Sequence, residues 1–424
     1  MSISILPRLS AVVLLAAACA PAVIPISTAP LADSAAIRRD ISYLASDRLE
    51  GRLAGTPGND SAAAYLARRY RALGLIPIVP GYLQPFNALS AADAHAGRTE
   101  PRPTQNVVAE LRGRDPVLRD EYVVVGAHFD HLGTSATYAQ DTGSAIRNGA
   151  DDNASGTAAV LELARILAAN PPRRSIIFAN FSAEELGVLG SAWFVNHLPV
   201  PATSIVAMIN FDMVGRLRND RLIVYGTSTA TELKAIVDSA NAAAPAPLAI
   251  AGGGDGYGPS DQTSFYAKDI PVLHFFTDLH EDYHRATDDV EKINAAGEAR
   301  VVNLALRVTR AVADRPSRLT LVKIAPAPRT MGAESGRQAY LGTVPDMAPS
   351  DVAGLKLTAV RPGSPGDVAG LKAGDVIVEL GGVAVKDLYS YSDALYSHQP
   401  GDVVEIVVLR EGKRVVVSAR IGKR

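Results

Sequence analysis

Residues 175–187 read SIIFANFSAEELG. Ser175–Phe181 is an apolar run of strand length, and it opens onto two adjacent carboxylates, Glu184 and Glu185. A strand without polar alternation is buried on both faces, which places it inside a parallel sheet covered by helices. Tyr122–Val125, Ile205–Phe211 and Pro271–Phe276 have the same character. Helical stretches such as Ser155–Ala169 and Ala230–Ala243 separate them, and this alternation predicts an α/β fold whose mostly parallel central sheet carries helices on both faces.

In an open α/β sheet, ligands collect just outside the carboxyl ends of the strands. The first run leads to His128 in AHFDHLG, the second to Glu184 and Glu185, the third to Asp212 in NFDMVG and the fourth to His284 in DYHRATDD. GADDNASG then sets Asp151 and Asp152 just before the helix that starts near Ser155. Each element alone has an ordinary explanation: a chance His-x-Asp, an N-cap, a solvated pair of glutamates. Together, at successive strand ends, they form an imidazole and carboxylate donor set suited to zinc, and the single Cys19 leaves no room for a thiolate-rich site.

Outward from this centre, IRRDISYLASDRLEG and NDSAAAYLARRYRALG predict two helices around a Gly/Pro loop, the second closed by Gly74, and residues Pro77 to Pro103 read as loop. The chain's 424 residues suit two or three domains. With 42 Lys+Arg against 44 Asp+Glu there is no basic footprint for nucleic acid. Residues 1–19 carry Arg8, an apolar run from Leu9 to Ala18, and then Cys19, the architecture of a signal peptide. Leu15-Ala16-Ala17-Ala18-Cys19 resembles a lipobox, so the expectation is an exported protein of the periplasm or cell envelope, anchored through acyl chains on Cys19. Cleavage after an Ala-x-Ala, with Cys19 discarded, is the alternative.

The ordered set HFDH, GADDNASG, EE, DM and YH resembles the di-zinc aminopeptidase family of secreted bacterial aminopeptidases, which also contains glutamate carboxypeptidases and glutaminyl cyclases. The likeness covers roughly Ser34 to Val312 and extends to SDRLEGRLAGTPG, TQNVVAELRG and GPSDQTSF. The resemblance implies two Zn2+ ions, one held by His128 and Asp212, the other by Glu185 and His284, with Asp152 bridging both. It implies Glu184 as general base toward a metal-bridged hydroxide and a cis peptide between Asp152 and Asn153; Tyr283, adjacent to a ligand, is a candidate oxyanion donor, with ordinary aromatic packing as the alternative. Three ligating carboxylates and a hydroxide balance the charge of two zinc ions, which sit about 3.5–4 Å apart in two-metal sites. Asp130 and Asp288 are placed to orient the ligating imidazoles of His128 and His284, whereas His131 and His280 read as surface residues. One departure from the family is Gln262 after Ser260 and Asp261, where a histidine is often seen, and it bears on substrate preference. The Gly-rich AGGGDGYGPSD is expected to line the substrate pocket.

Composition shifts after Asp314, so the zinc exopeptidase domain is assigned to 34–314, a linker to 315–338 and a second domain to 339–424. Short strands with Gly-rich turns, and above all SPGDVAGLKAGDVI within residues 360–385, resemble the PDZ domains of exported bacterial proteases. That implies recognition of a peptide or protein C-terminus beside a loop formed by Leu341, Gly342 and Thr343. The leading reading is an aminopeptidase acting on peptide substrates. A carboxypeptidase on the same fold would need a cation for the substrate carboxylate, for which Arg216 or Arg285 could serve. A glutaminyl cyclase and an inactive PDZ-bearing scaffold lipoprotein are the remaining alternatives.

Overall fold

A computed structural model describes residues 31–89, 100–134, 145–258, 260–323, 339–345, 354–361, 363–385, 390–391, 394–395 and 398–423. The leader and Cys19 lie outside the described residues. Among the described residues no helix is long and apolar enough to cross a membrane.

Eight strands form the first sheet: β1 (Leu83–Ala88), β2 (Arg102–Leu111), β3 (Tyr122–His128), β4 (Ser175–Phe181), β5 (Ile205–Phe211), β6 (Arg221–Tyr225), β7 (Ala249–Gly253) and β8 (Val272–Phe276). Their order is β1-β2-β4-β3-β5-β8-β6-β7. The central four, β4-β3-β5-β8, run parallel, and they are the four runs read from the sequence. β1, β2 and β6 join antiparallel, so the sheet is mixed. β1 lies in the stretch expected to be loop; its LQPFNA and the RPTQNV start of β2 carry Pro and amides, as an edge hairpin tolerates.

Alternate residues of the central strands serve two cores. Val123, Val125 and Ala127 pack with Ile41, Leu66, Leu163 and Val301, from the helices Ser34–Leu44, Pro57–Ala72, Gly156–Ala169 and Ala295–Ala313. Tyr122 and Val124 pack with Phe194 and Phe265, from Leu189–Asn196 and Gln262–Tyr266 on the opposite face. This two-sided burial explains the lack of polar alternation. Thr56 caps the helix Pro57–Ala72, and Gly74 follows its end at φ 72°.

Residues 315–323, read as linker, are fastened to this domain: the Val322 N–H donates to Thr229 O at 2.8 Å, and Arg318 pairs with Glu121 at 2.8 Å. The second domain has its own core around Leu341, Leu357, Ile377, Ile406 and Ala419. β10 (Thr343–Pro345), β11 (Leu355–Val360), β12 (Val376–Leu380), β14 (Val403–Arg410) and β15 (Lys413–Arg420) form an antiparallel sheet, with β13 (Val383–Ala384) beside β12 and a small pair, β9 (Ala339–Tyr340) with β16 (Gly422–Lys423), apart. The β14–β15 hairpin turns on Glu411 and Gly412, both at positive φ, as a tight two-residue turn requires. Arg361 of this domain pairs with Asp255, in the Gly-rich segment of the first, at 2.9 Å, both side chains being buried.

Candidate metal centre

The four parallel strands bring their carboxyl ends together, and each delivers its expected residue. His128 is the last residue of β3, Glu184 and Glu185 follow β4, Asp212 follows β5, and His284 lies beyond β8 in a turn at φ 58°. Asp152 enters from the segment before the helix Gly156–Ala169. All are buried except Asp212, which is partly exposed.

The two oxygens of Asp152 face different imidazoles: Oδ1 lies 3.4 Å from His128 Nε2, and Oδ2 lies 3.2 Å from His284 Nε2. His128 Nε2 is also 3.4 Å from Asp212 Oδ1, and His284 Nε2 is 3.1 Å from Glu185 Oε2. Tetrahedral zinc with bonds of about 2.0–2.1 Å sets its ligand atoms about 3.3 Å apart. All four spacings fit that edge. Among the described residues, Glu185 Oε2 and Asp212 Oδ1 are buried without a hydrogen-bond partner, which native structures rarely leave unexplained. The donor set therefore fits bound zinc.

Local geometry holds Asp152 in place. Gly149 at φ 55° has no Cβ, and one there would lie 2.1 Å from Asp152 O. Arg52, buried, donates to Phe129 O, Asn148 O and Gly149 O at 2.8, 2.6 and 3.0 Å. Asn153 Nδ2 donates to Phe211 O, and its Oδ1 accepts from the Gly156 and Met213 N–H groups, so the loop is tied to the end of β5. The Asp152–Asn153 peptide is cis.

Electrostatics separates the carboxylates. Burial works against charge on Asp152, yet His128 and His284 hold it well below the usual carboxylate range. Burial disfavours charged imidazoles too, but Glu184 and Asp212 raise His128 well above its ordinary value, and Glu185 and Asp152 do the same to His284. Protons collect on the imidazoles because the carboxylates demand positive charge, the demand that cations at this position meet.

Asp130 lies between His128 and the glutamate pair: Oδ1 is 3.7 Å from His128 Nδ1 and accepts from the Glu184 N–H at 3.1 Å. Tyr283 stacks on the His284 ring at 3.8 Å. Burial and the carboxylates of Asp152, Glu185, Glu184 and Asp212 push its phenol well above the usual range, so it remains an O–H donor.

Two expectations are corrected, those for His131 and His280. Asp288 Oδ2 accepts from the N–H groups of Asp151 and Asp152 at 2.9 and 3.0 Å, because the turn brings it under the bridging loop. His131 and His280 are not surface residues. His131 is fully buried with Nδ1 2.6 Å from Glu185 Oε1, and His280, its side chain 4% exposed, places Nε2 3.1 Å from Asp151 Oδ2. AHFDHLG gave one signal for this, since His131 sits three residues beyond His128 just past a strand end. Gln262 is buried and accepts from Asn210 Nδ2 at 3.0 Å.

In the second domain Leu341 is buried and Gly342 turns at φ 79°, where a Cβ would lie 2.2 Å from that of Ser364. The hydroxyls of Thr343 and Tyr391 are 2.6 Å apart.

A buried imidazole and carboxylate cluster at the carboxyl ends of a mixed, largely parallel sheet defines a metal-dependent hydrolase architecture. Residues 106–309 match the family model described as Peptidase family M28, and residues 334–421 match PDZ domain. The chain thus carries an M28 peptidase domain followed by a PDZ domain. It is 28% identical over 266 residues to leupeptin-inactivating enzyme 1 of Streptomyces exfoliatus (62% of this chain, 52% of that one) and 28% identical over 202 residues to aminopeptidase YwaD of Bacillus subtilis (45% and 41%). The fold is shared with the aminopeptidase from Aneurinibacillus sp. strain AM-1, at a TM-score of 0.54 and 18% identity over 69% of this chain and 97% of that one. The chain spans about half or less of the length of the curated relatives it matches.

Proposed function

We propose that this protein is an exported di-zinc aminopeptidase that removes N-terminal residues from peptides. The observation that carries the reading is Asp152, whose two oxygens face His128 and His284 while Asp212 and Glu185 complete a separate donor group on either side. His128, Asp212 and Asp152 would hold one zinc, and His284, Glu185 and Asp152 the other. When bound, such a pair supplies Lewis-acid polarisation of the scissile carbonyl and lowers the pKa of an attacking water.

The chain's own residues do the rest. Glu184 places its Oε2 3.9 Å from His128 Nε2, longer than the zinc edge. Burial and the neighbouring Glu185, Asp261 and Asp212 raise it well above the usual carboxylate range, against the pull of His128. It accepts the water's proton and passes it to the leaving amine. Asp130 meets His128 Nδ1 with its backbone carbonyl at 3.3 Å and accepts from the Glu184 N–H through Oδ1, and so fixes both. Tyr283 donates its O–H to the carbonyl oxygen as that oxygen gains charge. Arg216, one of the two candidates for binding a substrate carboxylate, is engaged by Asp282 and the Lys292 carbonyl.

The PDZ domain would recruit longer substrates or partner C-termini at Leu341–Thr343, and Cys19 would anchor the protein to the envelope membrane. Assaying the purified protein on peptides with free, acetylated and amidated ends tests the activity. Cleavage that requires a free N-terminus is expected. Release of C-terminal residues from N-acetylated peptides would make it a carboxypeptidase, and cyclisation of N-terminal Gln a cyclase. Cys19→Ser should move the protein from the membrane fraction to the soluble one.

A further inference from the structure

We infer that His131 is a positioning residue for the metal centre, holding Glu185 so that only one carboxylate oxygen is available to an ion. This rests on the metal-centre reading above. His131 Nδ1 lies 2.6 Å from Glu185 Oε1, a charge-assisted hydrogen-bond length and much shorter than the roughly 3.3 Å between two atoms on one tetrahedral zinc. Its nearest approach to the bridging carboxylate, 3.9 Å to Asp152 Oδ2, is longer than that edge. His284 Nε2 meets both spacings, at 3.2 Å from Asp152 and 3.1 Å from Glu185, so the ligand role belongs to His284.

Glu185 consequently has two unlike oxygens: Oε1 is taken by His131, while Oε2 is buried beside His284 and, among the described residues, has no hydrogen-bond partner. A carboxylate with both oxygens free can swing to chelate one ion. Fixed at Oε1, it offers a single donor and keeps the second ion near Asp152 and the first ion. The imidazole is itself held: its ring meets the His284 ring edge-on at 5.9 Å between centroids, and it packs so closely on Gly149 that a Cβ there would lie 2.5 Å from His131 Cγ and Cδ2.

The test is zinc binding by chelator competition, not activity, on the full chain and on His131→Ala and His131→Asn. Asn offers an amide N–H near the position of Nδ1. His131→Ala should weaken the more weakly held equivalent of zinc by about 10–100-fold and leave the other unchanged, the size usual for lost outer-shell partners, while His131→Asn should recover most of that loss. Unchanged affinity in His131→Ala, with two zinc ions bound to the unaltered protein, overturns the inference alone. An unaltered protein that binds no zinc overturns the metal-centre reading and this inference with it. Should His131→Ala not fold, a zinc-loaded crystal structure of the unaltered protein decides. Nδ1 bonded to Oε1 and one Glu185 oxygen on zinc supports the inference; Nδ1 on zinc, or both Glu185 oxygens on it, overturns it.

Discussion

Glu184 and Glu185 are neighbours in the chain, yet their carboxyl groups are driven in opposite directions. Burial, with Glu185, Asp261 and Asp212 nearby, pushes Glu184 well above the usual carboxylate range, whereas His284 and His131 outweigh burial and Asp152 to bring Glu185 down to about 2. A pair of carboxyls split in this way divides naturally into a proton acceptor and a charged ligand. Glu184→Gln should therefore lower kcat by at least about 10²–10⁴-fold, the range of general-base catalysis, with zinc content intact. Loss of zinc from that variant would exchange the two roles.

Asp288 gives a second prediction. Its Oδ2 satisfies two buried N–H groups, those of Asp151 and Asp152, and leaving such donors unpaired costs about 1–3 kcal/mol each. Because Asp152 serves both ions in this reading, Asp288→Ala should weaken both equivalents of zinc in a chelator titration. A loss confined to one equivalent would instead fit a residue that orients His284.

The cut site matters for removal of the PDZ domain. Val322 and Arg318 bind the peptidase domain, so a chain ending at Lys323 should keep most of its activity on small aminoacyl substrates. A chain ending at Asp314 loses those contacts and should unfold at a lower temperature. Equal melting temperatures for the two truncations would show that 315–323 contribute nothing.

A pH effect belongs to the PDZ domain. Burial raises Asp375, but Arg410, whose Nε and Nη2 contact its two oxygens at 2.7 Å, and the Lys372 N–H outweigh it and hold the carboxyl below its ordinary value. A depressed folded-state pKa contributes stability that is complete above the unfolded value, about 3.9 for Asp, and is lost as pH falls through the folded value. Thermal melts of the full chain should show the PDZ transition falling as pH drops below about 4, and Asp375→Asn should flatten that dependence while lowering stability at neutral pH. An acid profile unchanged by Asp375→Asn would assign the effect elsewhere.

The parallel strands and the ligands at their ends were legible because two-sided burial leaves continuous apolar runs and each run ends in metal-binding chemistry. Edge strands were not. β1 and β7 carry Pro, Asn or repeated Gly and owe their conformation to a neighbouring strand, not to a pattern of their own. The positions of Asp288 and His131 also escaped, since each is decided by how a loop folds back on the centre: one side chain reaches 136 and 137 residues along the chain, the other 54. Linear spacing places His131 near a strand end, three residues beyond His128, but does not say which side chain it meets.

The central claim, two zinc ions bridged by Asp152, is tested most directly by counting zinc per chain in the purified protein and in Asp152→Asn, using elemental analysis after equilibration with excess zinc and desalting. Two zinc ions per chain in the unaltered protein, with loss of zinc in the variant, is the predicted result. One zinc per chain in the unaltered protein, or two retained in Asp152→Asn, would contradict it.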